Sequence, residues 1–139
     1  MKKKTILFVC IENACRSQMA EGFAKAYAVD AVDAYSTGSS PSGVVNPIAV
    51  RVMKEKGIDM SSQISKGLGP LLIQKFDYII TIGCKDVCPF YPGAKRIEWE
   101  IPAPKGETVE EFREIRDNIE KRVIEFIDST TEEKEKENE

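Results

Sequence analysis

The run Thr5–Gly22, TILFVCIENACRSQMAEG, constrains this chain more than any other. Thr5-Ile6-Leu7-Phe8-Val9 is apolar and β-rich, as in a strand buried on both faces. Ser17 to Tyr27 reads as a helix, with Ala20, Phe23, Ala24 and Tyr27 on one side. Between them lie Cys10-Ile11-Glu12-Asn13-Ala14-Cys15-Arg16. A short strand-to-helix loop aims successive backbone N–H groups inward and ends on the positive pole of a helix, which makes an anion site. Cys10 stands at its base, where those dipoles favour a thiolate. Arg16 adds a planar, two-pronged donor for two oxyanion oxygens. Cys10 is therefore the candidate nucleophile, and Ile11, Glu12, Asn13, Ala14, Cys15, Arg16 and Ser17 the candidate oxyanion-binding residues. The ordinary alternative is that a cysteine ending a strand is a small buried apolar residue. The strand before this loop and the helix after it favour the anion site.

No histidine occurs, which excludes Cys–His and Ser–His pairs and any metal site built on imidazole. The loop and the helix end must then activate Cys10 without a neighbouring base. With 20 Lys and Arg against 23 Asp and Glu, a net charge of -3 gives no support for a nucleic-acid or anionic-membrane surface. Lys2-Lys3-Lys4 resembles a signal n-region, but Glu12 and Asn13 break the apolar run behind it, and no stretch is long enough to span a bilayer. A cytoplasmic location is expected, where four cysteines are more often reactive or metal-bound than a static disulfide framework.

Val32 to Ser36 is a second short strand, closed by the turn cluster Thr37-Gly38-Ser39-Ser40-Pro41, so the first third of the chain is a βαβ unit with parallel strands. Asn46-Pro47 opens a helix that carries Ile48, Ala49, Val52 and Met53 and stops at Gly57. Pro70 to Ile73 reads as a short helix. Tyr78 to Ile82 is a third, buried strand, and Ala94 to Trp99 a fourth with the polarity of an edge strand. Thr108 and Glu111 form a capping box for a helix with Val109, Phe112, Ile115, Ile119, Val123 and Phe126 on one face. The order predicts an α/β fold: a three-layer open sheet of four parallel strands flanked by helices on both faces. One catalytic domain is expected over residues 1–128, followed by a charged, disordered tail over residues 129–139.

Ligands of such sheets bind beyond the carboxyl ends of the strands. Cys10 follows the first strand and Cys84 the third, so both fall at that edge. In Gly83-Cys84-Lys85-Asp86-Val87-Cys88-Pro89, a helical turn would place the two cysteine Cα atoms roughly 6 Å apart, within disulfide range. Two other readings stay open at this point: a zinc site completed by Cys10 and Cys15, and inert core cysteines. Cys15 is expected to be structural.

With these residues in view, the chain resembles the thioredoxin-coupled arsenate reductases, which share the low-molecular-weight protein tyrosine phosphatase fold. The resemblance is carried by VCIENACRSQMAEGFA, STGS, NPIAVRVMKEKGID, TIGCKDVCP and EEFREIRDNI, and extends to about Ser129. It implies that Cys10 attacks arsenate held by the loop and Arg16, that Cys84 then attacks the Cys10 sulfur, and that Cys88 attacks Cys84. The relay would end as a Cys84–Cys88 disulfide reduced by thioredoxin or a similar dithiol protein. Asn13 and Ser17 match the family residues that support the loop and the thiolate. Phosphate or sulfate would also fit the loop, and neither a metal nor another cofactor is expected in what would be a monomer. The alternative is a tyrosine phosphatase working through a Cys10 phosphoenzyme. A third reading is an oxyanion or redox sensor that binds without turnover.

The chain departs from the family at three places. Only three residues separate Cys84 and Cys88, where better-known members have six. The catalytic Asp that precedes a proline is replaced by Ala103, with Glu100 or Glu107 as substitute acids. Asn13, Glu21 and Ser36 match a potassium site of some members, but its Asp position holds Lys66, whose ammonium would stand in for the ion.

Overall fold

The computed structural model describes residues 3–67, 69, 75–83 and 93–137. Its elements run β1 (Lys4–Cys10), α1 (Arg16–Tyr27), β2 (Val32–Gly38), α2 (Pro47–Lys54), β3 (Tyr78–Ile82), β4 (Lys95–Trp99) and α3 (Val109–Glu137). The strands form one parallel sheet in the order β2-β1-β3-β4, with β4 at the edge as its polarity predicts. In this order β1 is followed in sequence by its neighbour on one side, β2, and β3 by its neighbour on the other, β4. That divergence opens a crevice at the carboxyl ends of β1 and β3.

Period-two alternation divides the strand side chains between two clusters. Ile6, Phe8 and Cys10 of β1, with Ile80 and Ile82 of β3, face α1, α2 and α3 through Met19, Phe23, Val52, Met53, Phe112 and Ile119. Leu7, Val9 and Ile79 face the other way, against Phe76, Tyr35 and Ala94. The expected helix over Pro70 to Ile73 lies outside the described residues.

Local signals in the sequence account for several boundaries. The Asn46 side chain accepts from Ile48 N at 2.8 Å, with Pro47 at the first helical position. Gly57 ends the following turn at φ 76°. The expected capping box forms by half: Glu111 N donates to Thr108 Oγ1 at 3.2 Å, but the Glu111 carboxylate accepts from the backbone of Lys105 and Gly106.

α3 runs to Glu137, through the charged residues that follow Ser129. Ser129 and Thr130 turn their hydroxyls onto the carbonyls of Phe126 and Ile127, at 3.1 and 2.9 Å. The Glu and Lys residues beyond them are residue types with good helix propensity. A helix nucleated by the packing of Ile119, Val123 and Phe126 needs only propensity to propagate.

Ile119 is fully buried in α3, whereas Ile124 is 42% exposed on the same helix. Ile119→Ala is expected to cost about 3 kcal/mol, and Ile124→Ala less than about 0.5 kcal/mol. Urea denaturation of both variants measures the difference.

Candidate active site

The loop from Cys10 to Arg16 is held from outside by its own carbonyls. Ile11 O accepts from Ser40 N at 2.8 Å, and Ala14 O from Asn46 N at 2.8 Å. Glu12 O accepts from Ser42 N at 3.1 Å and Ser65 Oγ at 2.9 Å. Asn13 O accepts from Gln18 Nε2 at 3.0 Å. In a planar trans peptide the C=O of one residue and the N–H of the next point in opposite directions. Four carbonyls turned outward therefore turn the N–H groups of Glu12, Asn13, Ala14 and Cys15 the other way. The α1 N-terminus adds to this: its cap position, Cys15, makes no side-chain cap bond, and the first turn holds no acidic residue. The result is the nest of donors expected from the sequence.

Two glycine positions let the chain close around this loop. At Gly38, which ends β2 opposite Cys10, a Cβ would lie 2.6 Å from Ile11 O and 2.8 Å from Asn13 N. At Gly83, which follows β3 with φ +67°, a Cβ would lie 2.2 Å from Arg16 Nη1. Asn13 takes φ 51°, a left-handed conformation that asparagine tolerates.

Arg16 is buried, and its Nη1 donates to Ile101 O at 2.9 Å. One donor of the fork is thus used as an anchor, and the rest of the guanidinium remains for a ligand. Cys10 Sγ lies 2.8 Å from Ser17 Oγ, which accepts from Asn13 Nδ2 at 2.7 Å. Cys10, Ile11, Glu12, Ala14, Cys15 and Arg16 line a cavity of about 310 Å³, closed by Asn46, Ala103 and Pro104. An adjoining cavity of about 420 Å³ shares Ile11, Arg16 and Ala103 and is bordered by Gly83 and Glu100. The backbone thus brings Cys10, Arg16 and Ala103 together. Of the two substitute acids, Glu100 borders the second cavity, and Glu107 lines neither. Cys84 and Cys88 lie outside the described residues, but Gly83, directly before Cys84, stands against Arg16.

The profile of the low molecular weight phosphotyrosine protein phosphatase family matches residues 5–137. The chain belongs to this family. Within it, an arsenate reductase of Halalkalibacterium halodurans is 45% identical over 138 residues, which cover 93% of this chain and 99% of that protein. A solved arsenate reductase in a phosphate-binding state superposes with TM-score 0.79 at 34% identity, covering 91% of this chain and 98% of that one. A thioredoxin-dependent arsenate reductase of Corynebacterium glutamicum also gives TM-score 0.79, at 36% identity over 91% of this chain. This chain spans only 61% of that protein's length.

Several residues around the family loop carried no signal in the sequence. Gln18 is fully buried and binds Asn13 through both its backbone and its side-chain oxygen. Ile101 takes part through a carbonyl, which no residue type reveals. Lys66, by contrast, stands where the sequence reading put it, with its ammonium 3.7 Å from Glu21 Oε1, the oxygen that accepts from Ser36 at 2.9 Å. Lys25 joins the same buried carboxylate at 2.9 Å, a partner legible only as an i,i+4 pair.

Cys15 is 9% exposed, and its thiol is pushed up to about 12, mainly by burial and next by the neighbouring Cys10, with Arg16 partly offsetting. It therefore stays a thiol at pH 8, with roughly one part in ten thousand ionised. Because the folded state holds this proton more tightly than the unfolded chain, stability falls as pH rises from about 9 towards 12. With iodoacetate at pH 8, Cys10 is expected to label before Cys15, and phosphate to protect it. Mass spectrometry of the labelled peptides checks both; equal labelling of the two thiols, unaffected by phosphate, would contradict this site.

Proposed function

We propose that the chain reduces arsenate to arsenite through a three-thiol relay, in the cytoplasm, and is recycled by thioredoxin or a similar dithiol protein. One observation carries this reading: Gly83, the residue before Cys84 in the sequence, stands against the guanidinium of Arg16 and borders the cavity that adjoins the Cys10 cavity. The names of the relatives agree with it.

In the proposed sequence, arsenate sits on the loop N–H groups and Arg16. The Cys10 thiolate attacks arsenic and displaces one oxygen as water, giving a covalent Cys10–arsenate adduct. Ser17, at 2.8 Å, supports the sulfur. The Cys84 thiolate then attacks Cys10 Sγ. A Cys10–Cys84 disulfide forms, the sulfur–arsenic pair passes to arsenic, and As(V) leaves as arsenite, As(III). The Cys88 thiolate attacks Cys84 Sγ and frees Cys10, so the two-electron oxidation ends in a Cys84–Cys88 disulfide. Reduction by an external dithiol returns the starting state. Each exchange needs a thiolate attacker in line with the sulfur–sulfur or sulfur–arsenic bond.

Cys88→Ser is expected to complete one turnover and stop as a Cys10–Cys84 disulfide. Peptide mapping after stoichiometric arsenate identifies the bond. Sustained thioredoxin-dependent turnover by this variant would remove Cys88 from the relay.

The alternative, phosphomonoester hydrolysis through Cys10, differs in its need for an acid. An alkoxide or phenoxide leaves poorly until protonated, and general acid catalysis is typically worth about 10²–10⁴-fold. Arsenate already carries exchangeable hydroxyl protons, and the later sulfur exchanges need no acid. With Ala103 on the cavity wall, aryl phosphate hydrolysis is expected to be very slow. Ala103→Asp should raise it by about 10²-fold or more while changing arsenate turnover only modestly. The measurement is kcat/KM for both substrates in both proteins. Efficient hydrolysis by the wild type would assign the acid role to Glu100, which borders the adjoining cavity.

A further inference from the structure

A chain of side-chain amides runs into the site from a residue far away in sequence. Gln63 Nε2 donates to Gln18 Oε1 at 2.7 Å, and Gln18 Nε2 to Asn13 Oδ1 at 2.7 Å. Asn13 Nδ2 donates to Ser17 Oγ at 2.7 Å, and Ser17 Oγ lies 2.8 Å from Cys10 Sγ. Backbone groups fix the direction of every amide. Gln63 Nε2 also meets the carbonyl of Gln18 at 3.0 Å, and Gln18 Nε2 that of Ile64 at 2.8 Å; carbonyls only accept, so both atoms are donors. Asn13 Oδ1 takes the backbone N–H of Lys66 at 2.9 Å, which marks it as oxygen and leaves Nδ2 facing Ser17. Ser17 accepts a hydrogen bond from Asn13, and a Cys10 thiolate can only accept, so in that state the Ser17 hydroxyl donates to the sulfur. With Cys10 ionised, all four bonds point their hydrogens the same way, towards Cys10.

We propose that Gln18 and Gln63 are positioning residues that stabilise the Cys10 thiolate through Asn13 and Ser17. In such a chain each group that donates a hydrogen bond strengthens the donor at its other end. Asn13, Ser17 and Gln18 are fully buried, so water does not weaken the polarisation. Amides and hydroxyls do not titrate in the working range, so the three amide-donated bonds hold their direction while the thiol ionises. Among the described residues, the charged and titratable groups that line the Cys10 cavity are Arg16, Cys15 and Glu12; none of them belongs to the relay. Gln63 contributes from the loop after α2, beyond the loop and helix that hold the other members. The proposal rests on Cys10 being the reactive thiol of the proposed function.

The test is the pH dependence of Cys10 alkylation by iodoacetamide, followed by peptide mass spectrometry, in wild type, Gln63→Met, Ser17→Ala and the double variant. Gln63→Met should raise the midpoint by about 0.3 of a pH unit, the polarisation share of one charge-assisted bond. Ser17→Ala should raise it further, and in that background Gln63→Met should add nothing, because the relay is already cut. Gln63→Ala, with a smaller side chain, should shift the midpoint in the same sense, which guards against a misfit of methionine. An unmoved midpoint in both Gln63 variants overturns the proposal. So does a Gln63 shift that persists without Ser17, since the effect would then come from a displaced loop. If wild-type Cys10 fails to label first, the nucleophile assignment falls together with the relay. If it labels first and its midpoint ignores Gln63, the relay alone falls.

Discussion

Everything at this site depends on where four carbonyls point. A five-residue loop crowded with N–H groups would rather turn some of them back onto its own carbonyls, as loops without outside partners do. Here Ser40, Ser42, Ser65, Gln18 and Asn46 take those carbonyls first. They come from four stretches of chain, so the donor nest exists only once α1, the segment after β2, the start of α2 and the segment around Ser65 are assembled. Gly38 belongs to the same requirement: a side chain there would strike the loop backbone at two atoms. The binding geometry is thus a consequence of tertiary structure and not of the loop alone, which also makes it rigid before any ligand arrives.

Arg16 joins the two halves of the fold. It starts α1, in the first half, yet its guanidinium rests on Ile101 O and Gly83, which follow β4 and β3. The topology explains this: β1 and β3 are neighbours, and their outgoing loops part at the crevice. A cation fixed between the loops can hold an oxyanion on one side while sensing the chain that leaves β3 on the other. That placement makes the 83–84 junction chemically relevant to the loop although the two are far apart in sequence.

The parts legible in the sequence were those written in local patterns. β3 matches its apolar run from Tyr78 to Ile82, and α2 begins at the Asn46-Pro47 cap. The cysteine and arginine of the loop stand where strand and helix were expected to place them. What escaped has no local period. Gln18 sits among residues expected to form an ordinary helix face, and Gln63 in a loop with no pattern at all, because a hydrogen bond spanning 45 residues leaves no spacing to read. The charged segment after Ser129 has no apolar residue of its own to pack, and it extends a helix whose nucleus is packed earlier in the chain.

Two cysteines in one loop show why proximity to a helix N-terminus does not by itself make a reactive thiol. Cys15 occupies the cap position of α1, next to Arg16, yet burial outweighs the cation and holds it protonated. Cys10 ends β1 and is equally sheltered, at 2% exposure, but has a hydroxyl 2.8 Å from its sulfur and a file of donors behind that hydroxyl. Burial pushes the Cys15 thiol up, whereas the Cys10 sulfur has the Ser17 hydroxyl as a hydrogen-bond partner. Proximity to the arginine would favour Cys15; the polar groups packed beneath the loop favour Cys10 as the attacking thiol of the proposed mechanism.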